Sequence, residues 1–304
     1  MTHTTPHDAP RPHARDTAYA SHALYASCSS YDGTRLSYAV TGCGEPLVCL
    51  PGGPLQAAAY LGDLGGLTAS RTLITLDLRG TGRSAVPRDP ATYRCDRLVA
   101  DVEALRAHLG ADRLDLLAHS AGANLALLYT ARHPDRVRRL VLVAPSVLAV
   151  GVPIGERTRR DVAEARRGEP WYPAASRALE AVFAGRAEAA DLRAVSPFWY
   201  GSWGEEARAH AAAADRQRNA EAAAVYAAEG AFDPTATRAA LARLPAPVLA
   251  LAGELDLNSP PLAVAELAGL VRDSEFRVQA GAAHFPWLDD PAAFTTTVEG
   301  FLRT

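Results

Sequence analysis

The chain has 304 residues, of which 48% are hydrophobic and 21% charged, and its net charge is −3. This is the profile of a globular protein with a substantial core, long enough for one large domain or two modest ones. A nearly balanced charge with no long like-charged block gives no electrostatic basis for nucleic acid or a membrane surface as a partner.

Residues 1–20 hold Thr, His, Pro, Arg and Ala with little apolar bulk. They cannot bury enough surface to offset the entropy of ordering and are expected to be a flexible leader. They lack the continuous apolar stretch of a signal peptide, and no run in the chain is long enough to cross a bilayer, so the expected setting is cytoplasmic. Cys28, Cys43, Cys49 and Cys95 form no Cys-x-x-Cys pair and no metal-ligand spacing. They are expected to be reduced, mostly packed thiols, with no metal and no cofactor.

Two short strands, 24–30 and 36–40, flank Asp32-Gly33, a strong hairpin signal. Beyond them, short apolar runs at 47–50, 73–76, 114–118, 140–144 and 248–252 alternate with segments of helical period. Bare apolar runs of this kind predict strands buried on both faces, as in a parallel sheet flanked by helices. Leu98, Val102, Leu105 and Leu109 share one helical face, with Gly110 as the cap. A second helix runs from Ser120 through Leu125, Leu128 and Tyr129 to His133-Pro134, since a residue before proline avoids helical angles. A last strand near 275–278 and an amphipathic helix over about 291–302 close the chain.

One segment breaks this alternation. Residues 147–244 show no strand pattern, are rich in Ala, and carry aromatic residues at Phe198, Trp199, Tyr200 and Trp203. The expected organisation is therefore an α/β core, 21–146 and 245–304, with a mostly parallel central sheet and an all-helical lid, 147–244, inserted between two strands. Sheets of this kind bind ligands beyond the carboxyl ends of their strands, where such an insertion would lie.

The candidate chemistry starts at Leu116-Leu117-Ala118-His119-Ser120-Ala121-Gly122. A strand, a serine among small residues and an immediate helix make the pattern of a nucleophile elbow, with Ala118 where the first glycine usually stands. A serine hydroxyl needs a base to take its proton and a third group to orient that base. Asp256 follows the strand at 248–252, and Glu254 is its nearest rival. His284 lies in a loop of small residues after the last strand. The order Ser120, Asp256, His284 is that of α/β-hydrolases. His108, His133 and His210 read as surface or packed imidazoles, and His119 as packing, pointing away from the reacting atoms. An oxyanion would be met by the backbone amides of Ala121, at a helix start, and of Gly53, in the glycine pair of Leu50-Pro51-Gly52-Gly53-Pro54. The loop Asp77-Leu78-Arg79-Gly80-Thr81-Gly82-Arg83-Ser84 is expected to be structural.

Together the Pro51-Gly52-Gly53-Pro54 turn, the Asp77–Ser84 loop, the His119-Ser120-x-Gly122 elbow, Gly253-x-x-Asp256 and His284-x-Pro286 resemble the α/β-hydrolase superfamily, and within it the proline iminopeptidase-like enzymes. The resemblance spans about residues 30–302. It implies a serine hydrolase that releases an N-terminal residue from a short peptide or aminoacyl amide, with a lid carboxylate holding the substrate ammonium. Glu205 and Glu206 are the local candidates for that carboxylate, beside Trp199 and Trp203. Where the family reads His-Gly-Gly-Pro-Gly, this chain has Pro51 and Leu55 at the outer positions, which weakens the implication of strict proline specificity. The same parts suit an esterase, thioesterase or lactonase acting on a small apolar acyl compound. Acyl transfer and a non-catalytic ligand-binding role complete the alternatives.

Overall fold

The computed structural model describes residues 23–303. The leader expected over 1–20 lies outside the described residues. The remainder builds one eight-stranded sheet in the order β1-β2-β4-β3-β5-β6-β7-β8. β1 (Leu24–Ser29) and β2 (Arg35–Gly42) form the antiparallel hairpin around Asp32-Gly33. β2 also pairs antiparallel with β4 (Arg71–Leu76), and from there the sheet is parallel through β3 (Glu45–Leu50), β5 (Leu114–His119), β6 (Val137–Val143), β7 (Val248–Gly253) and β8 (Ser274–Gln279).

Alternate side chains of the central strands feed two cores. Val48, Leu50, Leu116 and Ala118 face α1 (Cys95–His108) and α2 (Gly122–Arg132), where Leu98, Val102, Leu105, Leu125 and Tyr129 pack. β5 and β7 are buried at every position, the reason β7 reads as a bare apolar run and β5 as one interrupted only by Asp115 before it ends at His119.

The segment 147–244 carries α3 (Glu156–Glu164), α4 (Tyr172–Phe183), α5 (Ala189–Ala194), α6 (Glu205–Gln217), α7 (Ala220–Tyr226) and α8 (Pro234–Leu241). Ala163, Ala175, Ala178, Leu179, Val195 and Phe198 make a separate small core, which Leu257 joins from the loop after β7. Ala222, Tyr226, Leu241 and Leu244, by contrast, are buried in the main core with α1 and α2. A lid boundary at 244 is therefore too late. The chain must cross back from β6 to β7 over one face of the sheet, and α8 is part of that crossover. After β7 come α9 (Pro261–Gly269), α10 (Pro286–Asp289) and α11 (Pro291–Arg303). On the second face Leu47, Cys49, Leu117, Val141 and Leu249 pack against Trp287, Phe294, Val298 and Phe301. Among the described residues no helix is long and apolar enough to cross a membrane.

The Asp77–Ser84 loop is fastened to the hairpin by a buried charge cluster. Arg79, fully buried, donates to Asp101 and to Asp32, and Ser30 bonds Asp101 as well. Asp77 accepts the amides of Ala58 and Arg83. All of these bonds are structural, as the sequence predicts for this loop.

Candidate active site

β5 runs straight into the elbow. Ser120 has φ of 52°, in the left-handed region that side chains other than glycine avoid. Neighbouring strands hold it there: its N–H donates to the Val143 carbonyl at 3.0 Å, and its own carbonyl accepts the Ser146 N–H at 3.0 Å. Small neighbours follow from close approach. A β-carbon on Gly52 would lie 2.8 Å from Ser120 Cβ, and one on Gly122 would lie 2.5 Å from the Pro51 carbonyl oxygen. Ala118 is fully buried, so its methyl is accommodated where a glycine is usual.

Asp256 and His284 converge on this serine. His284 Nε2 lies 2.9 Å from Ser120 Oγ, and His284 Nδ1 lies 2.8 Å from Asp256 Oδ2. Asp256 is fully buried, and its Oδ1 accepts the amides of Asn258 at 2.8 Å and Ser259 at 3.1 Å. With Nδ1–H donated to the carboxylate, Nε2 presents a lone pair to the serine hydroxyl. A hydroxyl, an imidazole and a carboxylate in this line can generate an oxygen nucleophile near neutral pH. Glu254, the rival acid, is exposed and accepts the Gly281 amide at 2.7 Å, which shapes the histidine loop from below.

The glycine turn sits against the elbow. Gly53 has φ of 115°, which only glycine adopts readily. Among the described residues neither the Gly53 nor the Ala121 N–H is donated to a protein acceptor. Ala121 stands immediately before α2, at its positive end. Arg218 donates to the Gly53 carbonyl at 3.0 Å.

Several residues that frame this site carry no motif. The His284 N–H donates to the Trp199 carbonyl at 3.0 Å, and the Trp199 ring lies 6.2 Å from the imidazole. Asp289 accepts the Gly201 amide through Oδ1 and the Ala283 amide through Oδ2, both at 2.8 Å, and burial raises its pKa above the ordinary carboxyl value. Tyr60 reaches both Gly52 and His119. His119 does not bond the serine hydroxyl. Its Nε2 lies 2.8 Å from the His284 carbonyl oxygen, and the two imidazole rings are 4.8 Å apart.

The expected lid contacts divide. Trp199 is brought beside His284. Trp203 packs instead on Tyr200 at 5.4 Å and near the Arg208 guanidinium. Glu205 and Glu206 are exposed in the first turn of α6, where the positive helix end favours carboxylates. Their exposure matches a solvated helix start rather than a pair enclosed around an ammonium. Among the described residues no cluster of three or more His, Cys, Asp or Glu could hold a metal ion, and all four cysteines are free.

A family model for the alpha/beta hydrolase fold matches residues 45–291. The chain is 41% identical over 103 residues to a human (Lyso)-N-acylphosphatidylethanolamine lipase, covering 33% of this chain and 30% of that protein. It is 33% identical over 108 residues to a proline iminopeptidase of Heyndrickxia coagulans, covering 36% and 38% respectively. The aligned parts thus span 30% and 38% of these relatives' own length. An esterase from Rhodococcus sp. ECU1013 superposes with a TM-score of 0.71 at 26% identity, covering 92% of this chain and 98% of the esterase.

Proposed function

The chain belongs to the α/β-hydrolase fold family, and from that premise we propose that it is a serine hydrolase cleaving small acyl esters through a covalent acyl-enzyme. The reading rests on the continuous line from Ser120 Oγ through both ring nitrogens of His284 to Asp256 Oδ2, with links of 2.9 Å and 2.8 Å.

In this mechanism Ser120 Oγ attacks the carbonyl carbon while His284 Nε2 takes the hydroxyl proton. Asp256 stabilises the imidazolium and fixes its tautomer. The amides of Gly53 and Ala121 receive the oxyanion, each contributing on the order of 10²–10³ in rate. The bond to the leaving alkoxide breaks as His284 returns the proton. Water then attacks the acyl carbonyl with His284 again as base, releasing the acid and restoring Ser120.

Esters rank ahead of aminoacyl amides because, among the described residues, the carboxylates considered for a substrate ammonium are placed otherwise. Glu205 and Glu206 are exposed, and both oxygens of Asp289 are taken by backbone amides. Release of an N-terminal residue is the second reading, favoured by the likeness to proline iminopeptidase. The test is labelling with a fluorophosphonate, followed by rates on p-nitrophenyl butyrate and on alanyl- and prolyl-naphthylamide. The expected result is labelling that disappears in Ser120→Ala, with ester turnover dominant. Labelling that persists in Ser120→Ala refutes the assignment. Faster naphthylamide turnover puts the aminopeptidase reading first.

A further inference from the structure

His119 is almost completely buried, directly before Ser120, and takes no part in the proton transfers above. Burial and the neighbouring His284 imidazole push its pKa well below the ordinary histidine value, so it is neutral. Phe285 and Trp287 pack against its ring at 5.3 Å and 4.8 Å and keep its surroundings apolar.

A neutral imidazole has one donor and one acceptor. The His284 carbonyl oxygen can only accept, so the contact at 2.8 Å assigns the proton of His119 to Nε2. His119 Nδ1 is then the acceptor, and the Tyr60 hydroxyl donates to it at 2.7 Å. With its proton committed, the Tyr60 oxygen accepts the Gly52 N–H, also at 2.7 Å. Every link has a fixed direction. One end of the chain of bonds is the residue before Gly53, and the other is the backbone of His284 itself.

We infer that His119 is a positioning residue that, through Tyr60, sets the oxyanion loop and the base loop in register with each other across Ser120. The inference rests on the serine hydrolase reading. Two loops distant in sequence must present their groups to one tetrahedral centre, and a rigid buried bridge fixes their spacing. The neutral state of His119 also matters, since a second positive charge 4.8 Å from the His284 ring would oppose the imidazolium formed during attack.

The test uses Tyr60→Phe, His119→Asn and their double variant in the full chain, with rates divided by the number of sites titrated with fluorophosphonate. Tyr60→Phe removes one oxygen and keeps the ring packing, so it reports even if the histidine variant folds poorly. His119→Asn retains an acceptor for Tyr60 but loses the donor to His284. Each single variant is expected to lose about 10- to 100-fold in kcat per titrated site, with KM within threefold, because small misplacements of reacting groups carry costs of this size. The double variant should fall no more than about threefold below the worse single, as parts of one connected unit do. A kcat per titrated site within threefold of the parent, whatever happens to Tm, overturns the inference, and so does a double variant whose losses multiply. A parent that is not labelled at Ser120 overturns the hydrolase reading and this inference with it.

Discussion

Asp256→Asn exchanges one carboxylate oxygen for an NH2 group, and the surroundings decide where that group goes. Oδ1 accepts two backbone amides, from Asn258 and Ser259. An NH2 placed there would leave both donors without an acceptor in a fully buried position, at about 1–3 kcal/mol each. Placed at Oδ2 it meets a single group, His284 Nδ1, at 2.8 Å. The amide oxygen therefore keeps the two backbone bonds and the NH2 faces the ring. His284 answers by moving its proton to Nε2, so that Nδ1 accepts from the new amide. Nε2–H then points at Ser120 Oγ and cannot take its proton. The expected loss is about 10⁴-fold in kcat, the size of a wrong-tautomer defect, or about 5 kcal/mol in the barrier. KM should stay near the parent value, because Asp256 is wholly buried and does not reach the substrate. Initial rates on p-nitrophenyl butyrate give the loss, and ¹⁵N spectra of the imidazole give the tautomer. A variant that keeps more than about a tenth of the parental kcat, or a ring that still carries its proton on Nδ1, refutes this reasoning.

Three further outcomes follow from other parts of the molecule. Ser120→Gly should be more stable than Ser120→Ala by about 1 kcal/mol in urea denaturation, since both lack the hydroxyl and only the alanine variant bears the left-handed strain. Asp32 has its pKa held at about 2 because, against the cost of burial, the Thr34 amide and the Arg79 guanidinium bond its ionised form. Its contribution to stability is present above the ordinary carboxyl pKa and lost as pH falls through about 2; with solvent screening it amounts to about 1 kcal/mol or less, so the gap between parent and Asp32→Asn should close between pH 4 and pH 2. Glu205→Gln combined with Glu206→Gln should leave turnover of both esters and naphthylamides within about twofold, as expected for exposed helix-start charges; a selective loss on naphthylamides would return these residues to the substrate site.

The elements that positioned the site were legible because burial leaves a one-dimensional trace. The run at 248–252 is apolar throughout and the run at 114–118 is apolar but for Asp115, which Arg138 pairs, since β7 and β5 are buried along their whole length. Ser120 and His284 were legible as candidates because each follows a strand among small residues, and Asp256 because it is an acid just past the end of β7. The lid boundary was not, because α8 and the lid helices share one amphipathic, Ala-rich pattern and differ only in what covers them. Glu205 and Glu206 stayed ambiguous in the sequence because an acidic first turn serves the helix dipole as well as it would serve an ammonium. Tyr60, Asp289 and the Trp199 carbonyl left no trace at all. Their part depends on which atoms meet across distant segments, and a tyrosine or an aspartate in an ordinary turn looks the same whether or not it does so.

Those untraced contacts change what the lid is. The oxyanion loop bonds the end of α6 and the residues after it: the Ala57 amide donates to the Gln217 carbonyl, the Asn219 amide to the Leu55 carbonyl, and Arg218 to Gly53. The histidine loop bonds the lid through Trp199 and, by way of Asp289, Gly201. The acid loop is bonded by Arg159 of α3 at the Leu257 carbonyl, and Leu257 itself packs in the lid's small core. With each hydrogen bond worth about 0.5–1.5 kcal/mol net, the bonds to the oxyanion loop alone amount to roughly 2–4 kcal/mol, enough to bias a loop strongly toward one conformation. A helical insertion that covered the strand ends and nothing more could swing away and leave the three loops as they were. This one is bonded to all three loops, so the geometry around Ser120 and the placement of the insertion are a single structural fact.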